Sequence, residues 1–193
     1  MDEQIELSKG DFIAEGIYCK CYEHPSNKNQ CIKILVEGKK ARQRLKEDIN
    51  YYSKLHKRQV SLEYIANYIG ESETSLGKGF IYECIRDYDG AVSKRLQHYL
   101  DTEELDAEVL YKKMKELGHY LLSNKILISD LHARNVLIQV SESGGIKPMI
   151  VDGIGDRVAI TILNMLPGAV ESKVKRRWNR FAQKELKGNT VIE

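Results

Sequence analysis

Residues 129–138 read Ser129-Asp130-Leu131-His132-Ala133-Arg134-Asn135-Val136-Leu137-Ile138, a polar loop that passes without a spacer into branched apolar residues. A second branched run, Ile150-Val151, ends at Asp152-Gly153, seventeen residues beyond Asn135. The apolar stretches Asn135 to Val140 and Lys147 to Val151, joined by Ser141-Glu142-Ser143-Gly144-Gly145-Ile146, predict a β-hairpin. Asp130 and Asn135 then stand before the hairpin and Asp152 closes it. No other feature of the chain restricts its fold as much.

The rest of the pattern must be built around that hairpin. Phe12 to Ala14, Ile17 to Glu23 and Gln30 to Val36, with a turn at Pro25 to Asn29, predict an antiparallel meander. From Gly38 to Arg58, Leu45, Ile49, Tyr52 and Leu55 or His56 recur at helical spacing, and the remaining face is charged. Ile65 to Ile69 and Gly79 to Ile85 predict a second strand pair. After the turn-rich Asp87-Tyr88-Asp89-Gly90, the stripe Leu96 to Leu100, Leu110, Met114, Leu117, Leu121 and Leu122 is helical. A last helix, from about Val170 to Leu186, carries Val170, Val174, Trp178, Phe181 and Leu186 near one face. The expected class is α+β. Residues 1–86 form a β-rich half with one helix, and residues 87–193 a mainly helical half with the hairpin. A cleft between them is the natural ligand site.

At 193 residues the chain can bury a sizeable core, and 42% apolar with 30% charged residues excludes a disordered polymer. The net charge of +2 does not point to nucleic acid, but charge is uneven. Lys173, Lys175, Arg176, Arg177, Arg180, Lys184 and Lys187 cluster on the last helix with one acid, Glu185. Cys19, Cys21, Cys31 and Cys84 form no CxxC pair and no zinc-ligand spacing, so they read as reduced thiols of a cytoplasmic protein. Acids at Asp2, Glu3, Glu6, Asp11 and Glu15 exclude a signal peptide, and runs such as Ile146 to Ile150 and Val158 to Leu166 are too short to span a bilayer.

Four features carry the candidate chemistry. An aspartate at 130 can orient and deprotonate an incoming hydroxyl, and an amide oxygen five residues later, on Asn135, can reach round the loop to a magnesium ion. The alternative is a loop that uses Asp and Asn only for turns. Asp152-Gly153, leaving a buried strand, reads as a metal ligand or as a plain turn. Lys33, in Ile32-Lys33-Ile34, reads as a phosphate-binding amine or as a strand-edge lysine with its amine in water. Glu47, fourteen residues on, reads as the carboxylate that holds Lys33 or as a solvated helix acid, with Glu37 as the other candidate partner.

With these residues in this order, the chain resembles the protein-kinase-like superfamily over most of its length. More narrowly it resembles the YrbL-type family of PhoP-regulatory-network proteins, through Phe80-Ile81-Tyr82-Glu83-Cys84-Ile85-Arg86-Asp87-Tyr88-Asp89-Gly90 and the segment Ile128 to Ile138. The resemblance implies an antiparallel-sheet N-lobe with one helix and a reduced helical C-lobe. It implies ATP and Mg2+ as cofactors. Lys33 and Glu47 would hold phosphates, Asp130 would be catalytic, and Asn135 and Asp152 would bind metal. Glu83 to Ile85 would form the strand that meets adenine. In the glycine loop, Ala14-Glu15-Gly16-Ile17-Tyr18-Cys19 keeps only Gly16. Ile128-Ser129 replaces the usual His-Arg, whose arginine docks a phosphorylated activation loop, so control by such phosphorylation is disfavoured; Asp152-Gly153 lacks an intervening Phe, and nothing after it resembles Ala-Pro-Glu. His132 is expected to order the loop by a hydrogen bond.

Two functions follow. One is phosphate transfer from Mg-ATP to a hydroxyl acceptor. The other is a regulatory binding module, weak or inactive in catalysis, that meets a protein partner in a bacterial stress-response network. The basic helix offers either a solvated surface or a contact for an anionic partner, and its few interleaved aromatics disfavour nucleic acid.

Overall fold

The computed structural model describes residues 4–36, 38–156 and 168–192. Glu37 and the whole Val158 to Leu166 run lie outside the described residues. The chain is α+β. A five-stranded antiparallel sheet in the order β1-β2-β3-β5-β4 is built from β1 (Phe12–Glu15), β2 (Cys19–His24), β3 (Asn27–Leu35), β4 (Tyr68–Thr74) and β5 (Gly77–Glu83). The first three form the expected meander. Lys33 lies on β3, the central strand, opposite Cys21 on β2 and Phe80 on β5.

The second strand pair departs from its expected position. Its first strand begins at Tyr68 and runs through Gly70-Glu71-Ser72-Glu73, residues that apolar runs alone assign to a connection. β4 is an edge strand, so its outward side chains meet water and no apolar pattern is needed to mark it. Ile65, instead of opening that strand, forms a parallel bridge to Ile150, where Ala66 N–H donates to Ile150 O at 2.9 Å.

Helix α1 (Lys39–Lys57) packs on the sheet through Tyr52, whose ring meets Tyr68 and Tyr82, and buries Ala41, Tyr52 and Leu55, whose spacing puts them on one face. The Tyr52 hydroxyl donates to Ala66 O at 2.6 Å, which satisfies its only polar atom in the core. After the turn at 87–90 come β6 (Lys94–Arg95), α2 (Leu96–Thr102) and α3 (Ala107–Ser123). Asp106 caps α3 by accepting from Val109 N–H at 2.9 Å. β7 (Val136–Val140) and β8 (Ile146–Ile150) form the hairpin foreseen from the sequence, extended by β6 into a three-stranded sheet.

Helix α4 (Ala169–Glu185) closes the second half. Trp178 is fully buried beneath α3, and Gly118 makes that approach possible, since a Cβ there would stand 2.5 Å from the indole. The indole N–H donates to Thr190 O at 2.7 Å. One apolar cluster runs from Cys31 and Tyr82 under the sheet, through Leu117, Ile138 and Ile150, to Trp178 and Phe181. Among the described residues no helix is long and apolar enough to cross a membrane.

Candidate active site

The two halves meet at Val151-Asp152-Gly153. From the hairpin side, Ser129 donates to Gly153 O through both its N–H, at 2.7 Å, and its hydroxyl, at 2.9 Å. Val151 N–H donates to Asn135 O at 3.0 Å. From the large sheet, Lys33 Nζ donates to Val151 O at 2.8 Å and stands 3.7 Å from Asp152 Oδ1. Strand β3 and the 129–135 loop, distant in sequence, are thus joined through residues 151–153.

Gly153 carries the tightest of these contacts. Its φ is +75°, and a Cβ would lie 2.8 Å from Asp130 Cβ and 3.0 Å from Asp130 O. Both the left-handed backbone and the close approach demand glycine. Asp152 Oδ1 accepts from Gly153 N–H at 2.9 Å, which orients the carboxylate, whose side chain is 48% exposed.

Lys33 is 14% exposed and lies 4.5 Å from the centre of the Tyr82 ring. Burial opposes its charge, but the Asp152 carboxylate leads the effects that hold its pKa well above the ordinary lysine value. The amine is cationic and largely shielded from water. Burial also pushes the Cys19 thiol up to about 11 and the Tyr82 phenol well above its usual value, so both neighbours stay neutral beside it.

Asn135 Nδ2 donates to Asp130 O at 2.9 Å, which leaves the amide oxygen as the ligating atom of that side chain. One carboxylate and one amide oxygen at a half-exposed position are hard donors of the kind a magnesium ion takes when phosphates and water complete its shell. Among the described residues no group of three or more His, Cys, Asp or Glu side chains forms a metal cage. Asp152 and Asn135 thus supply two hard oxygen donors, and a magnesium ion held by them would need oxygens from elsewhere to complete its shell.

Not every expected residue joins this cluster. Glu47 Oε1 accepts from Gln43 Nε2 at 2.9 Å, one turn back on α1, and the carboxylate found beside Lys33 is that of Asp152. Burial is the main cause that raises the pKa values of Cys19, Tyr52 and Tyr82, and among the α1 acids it is Asp48 that adds to it, alongside Asp152. Asp48 stands four residues before the buried Tyr52, on the inward stripe, and that register was the available signal.

Gly16 closes the β1–β2 turn by donating its N–H to Cys19 O at 2.8 Å; a Cβ would meet Cys19 O at an ordinary 3.6 Å, so the turn itself does not demand glycine. Glu83 N–H donates to Asn67 O, Cys84 N–H to Asn29 O, and Ile85 O accepts from Ser93 N–H, all between 2.9 and 3.0 Å. The Ile85 side chain packs with Val151, beside the Lys33 contact. A cavity of about 560 Å3 opens elsewhere, behind the 86–90 turn between Tyr88, Lys113 and Lys147, and none of the sequence-predicted site residues lines it.

The last helix contributes residues that sequence reasoning did not assign. Lys173 and Arg177 both pair with Asp156, just beyond Gly155, the Arg177–Asp156 distance being 2.7 Å. These two charges are partly buried rather than solvated. Glu185, the lone acid of the basic segment, accepts from His132 Nδ1 at 2.6 Å and from Ala133 N–H. His132 Nε2 lies 3.5 Å from Asp130 Oδ1. His132 does bond as a loop-ordering residue, and its partner comes from 53 residues away.

Residues 5–186 match the family described as PhoP regulatory network protein YrbL. Over 180 residues the chain is 30% identical to the Escherichia coli (strain K12) protein named "Uncharacterized protein YrbL", covering 92% of this chain and 86% of that one. The same figures hold for the protein of that name in Shigella flexneri. The matched span includes Lys33, the 129–135 loop, Asp152 and Glu185, and the chain belongs to the PhoP regulatory network protein YrbL family.

Proposed function

We propose that this protein is a small kinase-like phosphotransferase that uses Mg-ATP and transfers phosphate to a hydroxyl acceptor. The observation that carries this reading is the junction at 151–153, where a buried cationic lysine, an oriented aspartate and the Asp130–Asn135 loop come together. In the reaction, Lys33 holds phosphate oxygens and Asp130 orients the acceptor hydroxyl and takes its proton. The acceptor oxygen bonds to the γ-phosphorus as the bond to the β-phosphate oxygen breaks, and ADP leaves. Magnesium, when bound through Asp152 and Asn135, supplies charge neutralisation. Positioning and electrostatics provide most of the rate in such a site.

A ligand that binds only the folded state raises its stability, so Mg-ATP is expected to raise the melting temperature, and Asp152→Ala to abolish the magnesium-dependent part. Radiolabelled ATP offered with a panel of hydroxyl acceptors is expected to give labelled product that Asp130→Ala removes. No labelled acceptor, no hydrolysis and an indifferent Asp130→Ala variant would reject the proposal.

The second reading, a regulatory binding module of the same architecture, draws on the Gly16 turn, whose geometry does not demand glycine, and on the family's description as part of the PhoP regulatory network. Turnover that depends on Asp130 excludes it.

A further inference from the structure

Glu185 ends helix α4, where the carbonyl end of the helix disfavours a carboxylate, and it is the only acid among seven basic residues. Its side chain is nevertheless 15% exposed, and each of its oxygens accepts a hydrogen bond from the 130–135 loop. One bond comes from His132 Nδ1 at 2.6 Å. The other comes from Ala133 N–H, the first donor of the short 133–135 turn, which receives no cap from the His132 side chain. A carboxylate that accepts at Nδ1 keeps a proton there and turns Nε2 toward Asp130 Oδ1, 3.5 Å away; Nε2 offers an N–H to that carboxylate only in the imidazolium, and in the neutral ring it meets Asp130 as a lone pair.

We infer that Glu185 is a positioning residue of this site: by holding His132 in one tautomer and one rotamer, it sets the presentation of Asp130 to the acceptor. The inference rests on the phosphotransferase reading for its catalytic consequence, but not for the contact itself. α4 is then part of the site, and its register, set by Trp178 in the core, reaches the ring that faces Asp130 through the Glu185–His132 hydrogen bond.

The test has a spectroscopic and a kinetic arm on the full chain. In long-range 1H–15N spectra, His132 of the wild type is expected to carry its proton on Nδ1, and Glu185→Gln to shift that signature while other histidine signals stay in place. A wild-type ring protonated at Nε2 alone, or a His132 spectrum unmoved by Glu185→Gln, overturns the inference. In Mg-ATP turnover, Glu185→Gln is expected to lower kcat by about 10- to 100-fold with the KM for ATP within about twofold, the range seen when an orienting partner of a site residue is lost. His132→Leu is expected to match it, and the double variant to fall no further than the worse single, because the two act in series. His132→Asn, whose Nδ2 can still donate to Glu185, is expected to retain more turnover than His132→Leu. Multiplying losses, or equal losses for Asn and Leu, overturn the inference. A wild type without Mg-ATP turnover defeats the phosphotransferase reading instead, and the spectroscopic arm still decides the Glu185–His132 contact.

Discussion

Gly153 concentrates two demands at one residue, a φ of +75° and a Cβ position 2.8 Å from Asp130. Gly153→Ala is expected to cost about 1–3 kcal/mol, the range for a residue held in a strained backbone region. Urea unfolding measures that cost, and an unchanged midpoint would show that the loops separate easily. Because the clash falls on Asp130, any stabilisation by Mg-ATP is expected to drop as well. A second residue-scale expectation concerns alkaline pH. Burial raises the pKa values of Cys19, Tyr52 and Tyr82 above their ordinary 9.0 and 10.0, and Asp152 helps raise that of Lys33 above 10.5. The folded state then keeps protons that the unfolded chain has lost, so the stability these groups contribute is complete below about pH 9 and falls as pH rises from there. Denaturant titrations at pH 8 and pH 10.5 measure the fall, and Tyr82→Phe is expected to flatten it. Stability that holds level across this range would refute the assignment.

Helix α4 shows how an element can be half legible. Its apolar stripe is readable at helical spacing, and Val174, Trp178, Phe181 and Leu186 are buried as that stripe requires. Its charges were not readable, because Lys173 and Arg177 find Asp156 only once the segment after β8 folds back on the helix. Asp156→Ala removes one carboxylate from two cations whose side chains are 13% and 21% exposed. The expected loss is about 3–5 kcal/mol, as for breaking a partly buried ion pair from one side. Replacing Lys173 and Arg177 by methionine in the same chain is expected to recover much of it in thermal melts. A loss under about 0.5 kcal/mol, usual for surface changes, would mean that the three charges are effectively solvated. The edge strand β4 is the opposite case: its polar outward face hid it from apolar patterning, and pairing with β5 reveals it.

Across the whole molecule, the apolar cluster joins the five-stranded sheet to the α3–α4 pair without a break. Trp178 fluorescence reports the second half, and the reactivity of buried Cys31 reports the first. The two probes are expected to give one coincident unfolding transition, the mark of a two-state domain, and separated midpoints would show that the halves unfold independently. The sequence by itself determined the element types, the hairpin and the position of the Asp130–Asn135 loop, because these follow from local periodicity and from residue chemistry within a few positions. Tertiary structure alone decided which groups meet: Lys33 with Val151 and Asp152 across 118 residues or more, Asp48 rather than Glu47 on the α1 stripe that carries Tyr52, and Glu185 against His132. The physical reason is that local pattern sets which face of an element is apolar, whereas the partner of a charged side chain is set by how those faces dock. A docking shift of one residue around a helix exchanges Glu47 for Asp48.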